Sequence, residues 1–174
     1  MEQLHMYWKN DGAPIPAYTL PEGYAIKKIG EVENGIQQWL EVISHGLVDG
    51  VKDEAFYQRV MVEERGFDPE YLFLVMYGDE AVATLDVLLY TWCNDGHLHM
   101  VACKENHRGK GLATALNLLA LHIVRELGFA TASLTTDDQR IPAIKSYYKV
   151  GFQPDLTTPD YVERWAKINA IIGK

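Results

Sequence analysis

Residues 97–128 read HLHMVACKENHRGKGLATALNLLALHIVRELG, and the order of elements in this stretch decides the fold. Side chains alternate along an extended chain, so His97, His99, Val101 and Cys103 share one face and Leu98, Met100 and Ala102 the other. Apolar residues on both faces predict a strand over 97–103 that is covered on both sides. A polar, cationic turn with two glycines follows. From there to Gly128, Leu112, Ala115, Leu116, Leu119, Ala120, Ile123, Val124 and Leu127 recur at helical spacing.

The loop between strand and helix carries the chemistry. Gly109 and Gly111 have no Cβ, so Arg108-Gly109-Lys110-Gly111-Leu112-Ala113 can expose consecutive backbone N–H groups. The helix that begins near Gly111 aims its unpaired amides the same way. With the partial charge of the helix end, Arg108 and Lys110 make an anion site suited to phosphate. It is not a P-loop, because Lys104 stands where the first glycine belongs and Gly111 where Ser or Thr belongs. A dinucleotide GxGxxG fails too, since Thr114 follows the two glycines.

At Arg108, Gly111 and Ala113 the chain resembles the GCN5-related N-acetyltransferases, the GNAT superfamily, whose signature is [QR]-x-x-G-x-[GA] between the fourth strand and the third helix. A second likeness lies in Ala143-Ile144-Lys145-Ser146-Tyr147-Tyr148-Lys149-Val150-Gly151-Phe152, which is similar to the family's late A-I-x-x-Y-x-x-x-G-F segment. The likeness covers about residues 23–152 and is weak at both ends. It implies an α/β (α+β) fold: a mixed, mostly antiparallel central sheet flanked by helices, with a splayed parallel strand pair that admits pantetheine. It also implies acetyl-CoA as co-substrate, no metal, and direct attack of a primary amine on the thioester in a ternary complex. The rival readings are a non-catalytic acyl-CoA-binding module and a transferase that uses a longer acyl-CoA.

The resemblance assigns roles residue by residue. The coenzyme diphosphate falls to Arg108, Gly109, Lys110, Gly111, Leu112, Ala113 and Thr114, and the oxyanion to a backbone N–H among Val101, Ala102 and Cys103. Cys103 itself reads as packing. Tyr147 aligns with the tyrosine beside the coenzyme sulfur that acts as general acid; Tyr148 points about 100° away around the helix. Many members have Asn where Arg140 stands, so Arg140 either reaches the coenzyme or faces water. His97 aligns with a position where some relatives place a glutamate, and His97 or His99 is the expected base for the acceptor, since histidine changes charge near neutrality. The plainer reading makes His97 a turn-flanking residue and His99 a bonded core residue. Zinc on Cys93, His97, His99 and Cys103 is opposed by distance, because His97 to Cys103 spans about 20 Å along a strand.

Bulk properties bound the rest. A chain of 174 residues with 48% hydrophobic content suits a single domain over 1–174. The N-terminal sequence lacks a basic and an apolar leader region, and no apolar run is long enough to span a bilayer, so a soluble cytoplasmic protein is expected. Two cysteines give no disulfide framework. A net charge of −8 argues against general nucleic-acid binding. Yet residues 104–149 hold seven Lys or Arg against four Asp or Glu, a basic patch suited to a polyanionic small molecule. The acceptor stays open between a small-molecule amine and a peptide amine.

Elsewhere, residues 1–22 carry Pro14, Pro16 and Pro21 and read as an extended arm packed on the body. A strand is expected at Tyr24–Ile29 and helices at Val32–His45 and Asp53–Glu64, with Asp53 as a cap. Ser44, His45, Asp49, Asp53 and Glu54 are acceptor contacts or, more simply, a solvated helix face. Strands follow at Tyr71–Tyr77 and Ala81–Trp92, joined by a II′ turn at Gly78-Asp79, with Asp86 on the solvated face, the favoured reading, or in the acceptor cleft. A parallel strand at Ala130–Thr136 and a helix from Pro142 to Gly151 complete the body. Pro159–Ile172 reads as a helix with the stripe Tyr161, Val162, Trp165, Ile168, Ile171 and Ile172, which packs on the sheet or forms a homodimer contact.

Overall fold

A computed structural model describes residues 2–50 and 52–174; Met1 and Val51 lie outside the described residues. Strands β1 (Leu4–Lys9) and β2 (Tyr24–Lys28) come first, then helices α1 (Gly35–Ile43) and α2 (Glu54–Tyr57). An antiparallel meander of β3 (Leu72–Tyr77), β4 (Glu80–Tyr90) and β5 (Asp95–Cys103) leads into α3 (Leu112–Glu126) and β6 (Thr131–Thr136). The chain closes with α4 (Ile141–Lys149), the two-residue β7 (Gln153–Pro154) and α5 (Pro159–Ile172). One seven-stranded sheet results, ordered β2-β3-β4-β5-β6-β1-β7, antiparallel except where β5 meets β6. The expected fold class is the one observed.

Alternation sorts the core into two layers. Phe73 and Val75 of β3 pack toward α3 with Leu116, Ala120 and Val124, whereas Leu72, Leu74 and Met76 face α1 and α2 with Trp39, Ile43 and Tyr57. The long helix lies close to the sheet. A Cβ on Gly96 of β5 would stand 2.5 Å from Val124 Cγ2, so this crossing requires glycine.

The N-terminal stretch enters the sheet. Leu4 to Lys9 pair with Thr136 to Thr131 of β6, and Met6 and Tyr7 pair with β7. Aromatic residues on both sides of this strand, and a partner more than 120 residues away in the chain, hide it from local pattern reading. Helix α1 begins later than expected because a 3₁₀ turn over Ile29–Glu31 precedes it, with the Lys28 N–H donating to the Glu31 carboxylate at 2.8 Å. Asp53 does cap α2, accepting the Phe56 N–H at 2.9 Å. After Tyr57 the coil widens into a π-helical turn over Gln58–Val62.

Helix α5 has the expected bounds but a different stripe. Tyr161, Trp165 and Ile168 are buried, while Val162 and Ile171 face water, 48% and 67% exposed. Arg164 takes the inner position instead. Its guanidinium donates to Asp160, to the Glu2 carbonyl and to Asp138, which lets a charge be buried there.

Candidate active site

β5 contains a bulge. Thr84 of β4 pairs with Ala102 and Asp86 with His99, so β5 advances three residues against two on its neighbour. Met100 takes up the extra residue with a left-handed φ of 50°. Side chains therefore change faces: Leu98, Val101 and Cys103 pack on the α3 side, and Met100 and Ala102 in the layer of α1 and α2. His97 and His99, alternating with Leu98, lie on the α1 side. This corrects the expectation that they share a face with Val101 and Cys103, which assumed an unbroken strand.

The parallel pairing of β5 and β6 runs from Asp95 opposite Thr131 to Leu98 opposite Leu134 and stops, while Thr135 and Thr136 stay paired to β1. The last residues of β5 thus have a neighbour on the β4 side alone. Lys104 donates its N–H to the Val82 carbonyl on that side at 2.9 Å. Successive amides alternate in direction, so those of Cys103 and Val101 turn into the gap.

At the end of this gap stands the glycine loop. Gly109 and Gly111 have φ of 75° and 82°, a region open to glycine at little cost. Gly111 is the N-cap of α3 and offers no capping side chain, which leaves the first-turn N–H groups for an outside acceptor. A cavity of about 360 Å³ opens there between Leu20 and Pro21 on one wall and Lys110, Gly111, Thr114 and Lys149 on the other. Two lysines and a helix dipole fit a diphosphate, so these residues fit coenzyme A. Lys149 and the Leu20–Pro21 wall were not legible as site residues in the sequence, because tertiary packing alone brings them to the loop.

Arg108 is committed differently. Its guanidinium donates to the Cys103 and His45 carbonyls, both at 3.0 Å, and lies 3.4 Å from Glu105, so it braces the loop against β5 and the end of α1. Arg140, across the gap, donates to Asp137 at 2.8 Å and to the Leu47 carbonyl at 3.1 Å. Two arginines thereby tie the connection after α1 to both rims. On the helix face after α1 and at α2, Ser44 donates to the Leu40 carbonyl, exposed His45 meets Glu41 at 3.2 Å, and exposed Glu54 accepts from Gln37 at 2.6 Å, in keeping with the simpler reading of a solvated face.

Asp86 overturns its expected place. It is fully buried, its Oδ2 lies 3.5 Å from His99 Nδ1, and neither carboxylate oxygen has a hydrogen-bond partner among the described residues. Burial pushes its pKa up to about 6, partly offset by His99. Local pattern gave no sign of this, since a lone Asp in a strand is usually exposed. His97 stands apart from that pair: its Nδ1 lies 2.8 Å from Ser133 Oγ and its ring stacks on Tyr90. Burial, with His99 and His5 nearby, holds it down to about 4.

Tyr147 is buried against Phe152, and burial raises its hydroxyl to about 12, offset in part by Arg140. Tyr148 turns away and donates to Asn169 at 3.0 Å. The Cys103 thiol is pushed up by burial despite Arg108 and Lys110, which does not favour a nucleophilic thiolate. Among the described residues no group of three or more His, Cys, Asp or Glu could hold a metal, and no helix is long and apolar enough to cross a membrane. A separate cavity of about 800 Å³ lies between Trp8, Pro14 and the Val150–Gly151 turn, at the end of β1 remote from the gap.

Comparison with known proteins agrees with this geometry. The profile of the acetyltransferase (GNAT) family matches residues 36–152. Mycothiol acetyltransferase of Thermomonospora curvata is 26% identical over 148 residues, 80% of this chain and 48% of the relative. The homologue from Nocardia farcinica is 31% identical over 99 residues, 52% of this chain and 32% of that protein. The chain spans about half the length of the curated relatives it matches most extensively. In fold it is similar to a GCN5-related N-acetyltransferase from Sphaerobacter thermophilus, with a TM-score of 0.71 at 22% identity, covering 88% of this chain and 48% of that one. The ribosomal-protein-S18-alanine N-acetyltransferase of Escherichia coli is a further structural neighbour, with a TM-score of 0.58 at 16% identity over 75% of this chain and 77% of that one.

Proposed function

This chain belongs to the acetyltransferase (GNAT) family, and on that premise we propose that it transfers the acetyl group of acetyl-CoA to a primary amine. The observation that carries the reading is the parting of β5 from β6 beyond Leu98, immediately before a glycine loop and an uncapped helix start. Acetyl-CoA supplies the acyl group as a thioester. Its diphosphate rests on the amides from Gly109 to Thr114 with Lys110 and Lys149 alongside, and Arg108 and Arg140 hold the rims. The amides of Val101 and Cys103 bond the pantetheine arm and the thioester oxygen, where charge grows as the amine attacks.

The amine must arrive neutral. His99 takes its proton at Nε2, across the ring from Asp86, and the buried carboxylate stabilises the imidazolium that forms. Asp86 acts through His99 and is a positioning residue. His97, held neutral near pH 7 by burial, is the poorer base. The new C–N bond displaces the sulfur with its electron pair, and Tyr147 donates a hydrogen bond to it. From a hydroxyl at about 12, full transfer to a thiolate of ordinary pKa ~8.5 is uphill by roughly 5 kcal/mol, so donation, not complete proton transfer, is its contribution.

The name shared by the relatives, mycothiol acetyltransferase, supports a small-molecule acceptor. Two unpaired cysteines support a reducing, cytoplasmic setting. The reading is tested by release of free thiol from acetyl-CoA against a panel of amines, with calorimetry of coenzyme A binding alongside. Release with an amine is the expected result. Binding without release would assign a non-catalytic module, and faster release from longer acyl esters would change the donor.

A further inference from the structure

One polar network on the α1 face of β5 takes no part in that proton transfer. Asp95, 7% exposed at the start of the strand, accepts the Thr131 hydroxyl at 2.6 Å on one oxygen and the Ser133 hydroxyl on the other. Asp95 accepts on both oxygens, so the hydroxyl hydrogens of Thr131 and Ser133 are both committed to it. Ser133 Oγ can then only accept from His97 Nδ1, 2.8 Å away. The proton of the neutral imidazole is thereby fixed on Nδ1, and Nε2 is left as a bare acceptor with no protein partner among the described residues.

The ring is fixed in plane as well as in tautomer. Tyr90 stacks on it with centroids 5.3 Å apart and planes 15° from parallel. His97 is partly exposed, and β1 extends the same open floor with His5 and Tyr7, the latter 41% exposed. Alternation puts His97 and His99 two residues apart on one face of the regular part of β5, about 6.6 Å along the strand. An imidazole locked as an acceptor beside the base asks the substrate for a donor at that spacing. With the Nδ1 hydrogen committed to Ser133, the single lone pair of Nε2 takes one hydrogen, which a hydroxyl supplies while its oxygen stays free to face the open floor.

Resting on the transferase reading, we propose that His97 Nε2 is a specificity-determining acceptor for a hydroxyl group, so that the acetyl acceptor is a hydroxylated primary amine with its O–H roughly 6–7 Å from the reacting nitrogen. The test measures kcat/KM for thiol release with 4-amino-1-butanol, its isostere n-pentylamine, and 1,4-diaminobutane. The amino alcohol is expected to exceed both others by about tenfold, the worth of one well-made hydrogen bond. In His97→Phe, which keeps a ring against Tyr90, that ratio falls to about one. In Ser133→Ala it narrows, and the ¹⁵N spectrum of His97 changes from the Nδ1-protonated form to a tautomer mixture.

Equal kcat/KM for the three amines, a ratio that survives His97→Phe, or an Nε2-protonated His97 in the unsubstituted protein would each overturn this inference while leaving the transferase reading intact. Thiol release with no amine at all, coenzyme A still binding, would overturn both.

Discussion

Replacing Asp86 with Asn is expected to stabilise the protein while disabling it. The carboxyl is fully buried, unpartnered and raised by burial from the ordinary 3.8 to about 6, despite the opposing pull of His99. Below about pH 3 it is protonated in both the folded and unfolded chain and has no effect on the balance. As pH rises from 3.8 the unfolded chain loses the proton first, and the folded chain keeps it until about 6. Folding stability therefore falls across that window and stays reduced above it, by about 3 kcal/mol at 1.36 kcal/mol per pH unit.

Asn cannot ionise, so Asp86→Asn escapes this loss. Urea denaturation at pH 3 and pH 8 measures it: the two proteins should match at about pH 3, and the variant should be more stable by up to ~3 kcal/mol at pH 8. The kcat/KM for thiol release should meanwhile drop by about 10–100-fold, since the His99 imidazolium loses its counter-charge. A variant that is less stable at pH 8, or one that keeps full kcat/KM, would refute the assignment of Asp86 as an ionised carboxylate held for catalysis.

Tyr147→Phe should lower kcat by about 10–100-fold with coenzyme A affinity by calorimetry unchanged, and a hydroxyl at about 12 adds no alkaline limb to the rate profile below pH 10. Gly111→Ala forces a φ of 82° on a residue with a Cβ, so urea denaturation should show a loss of about 1–2 kcal/mol. The methyl also enters the diphosphate cavity, and the Kd for coenzyme A should rise about tenfold. Arg164→Ala removes the guanidinium that joins α5 to Asp138 and to the Glu2 carbonyl; a loss of ~2–3 kcal/mol would lower Tm by about 5–10 °C.

The elements that local sequence could reveal are those whose signal is local. Strand, glycine loop and α3 were legible because a two-residue alternation gives way to helical spacing at glycines. Tyr147 and Tyr148 separated as a helix requires. The strand β1 and the second wall of the cavity beside the glycine loop were not legible, because Leu4–Lys9 finds its partner in β6 and Leu20–Pro21 meets Lys149 only through tertiary packing. Asp86 was misplaced for a related reason. Burial of a carboxylate is contrary to its solvation energy, so the local pattern argues against it.

The bulge at Met100 has no local signature in the sequence, and it sets which face each side chain of β5 meets. In an unbroken strand His99 and Val101 would share a face. The inserted residue reverses that relation within two positions: His99 stays with Asp86 beneath the α1 layer, while Val101 turns its side chain to α3 and its amide into the gap beside β6. A left-handed methionine costs about 1–3 kcal/mol, and nothing in its side chain announces it. On the proposed mechanism, the base for the amine and the donors for the thioester oxygen would be neighbours along one strand that address different substrates, as direct transfer between two bound molecules requires.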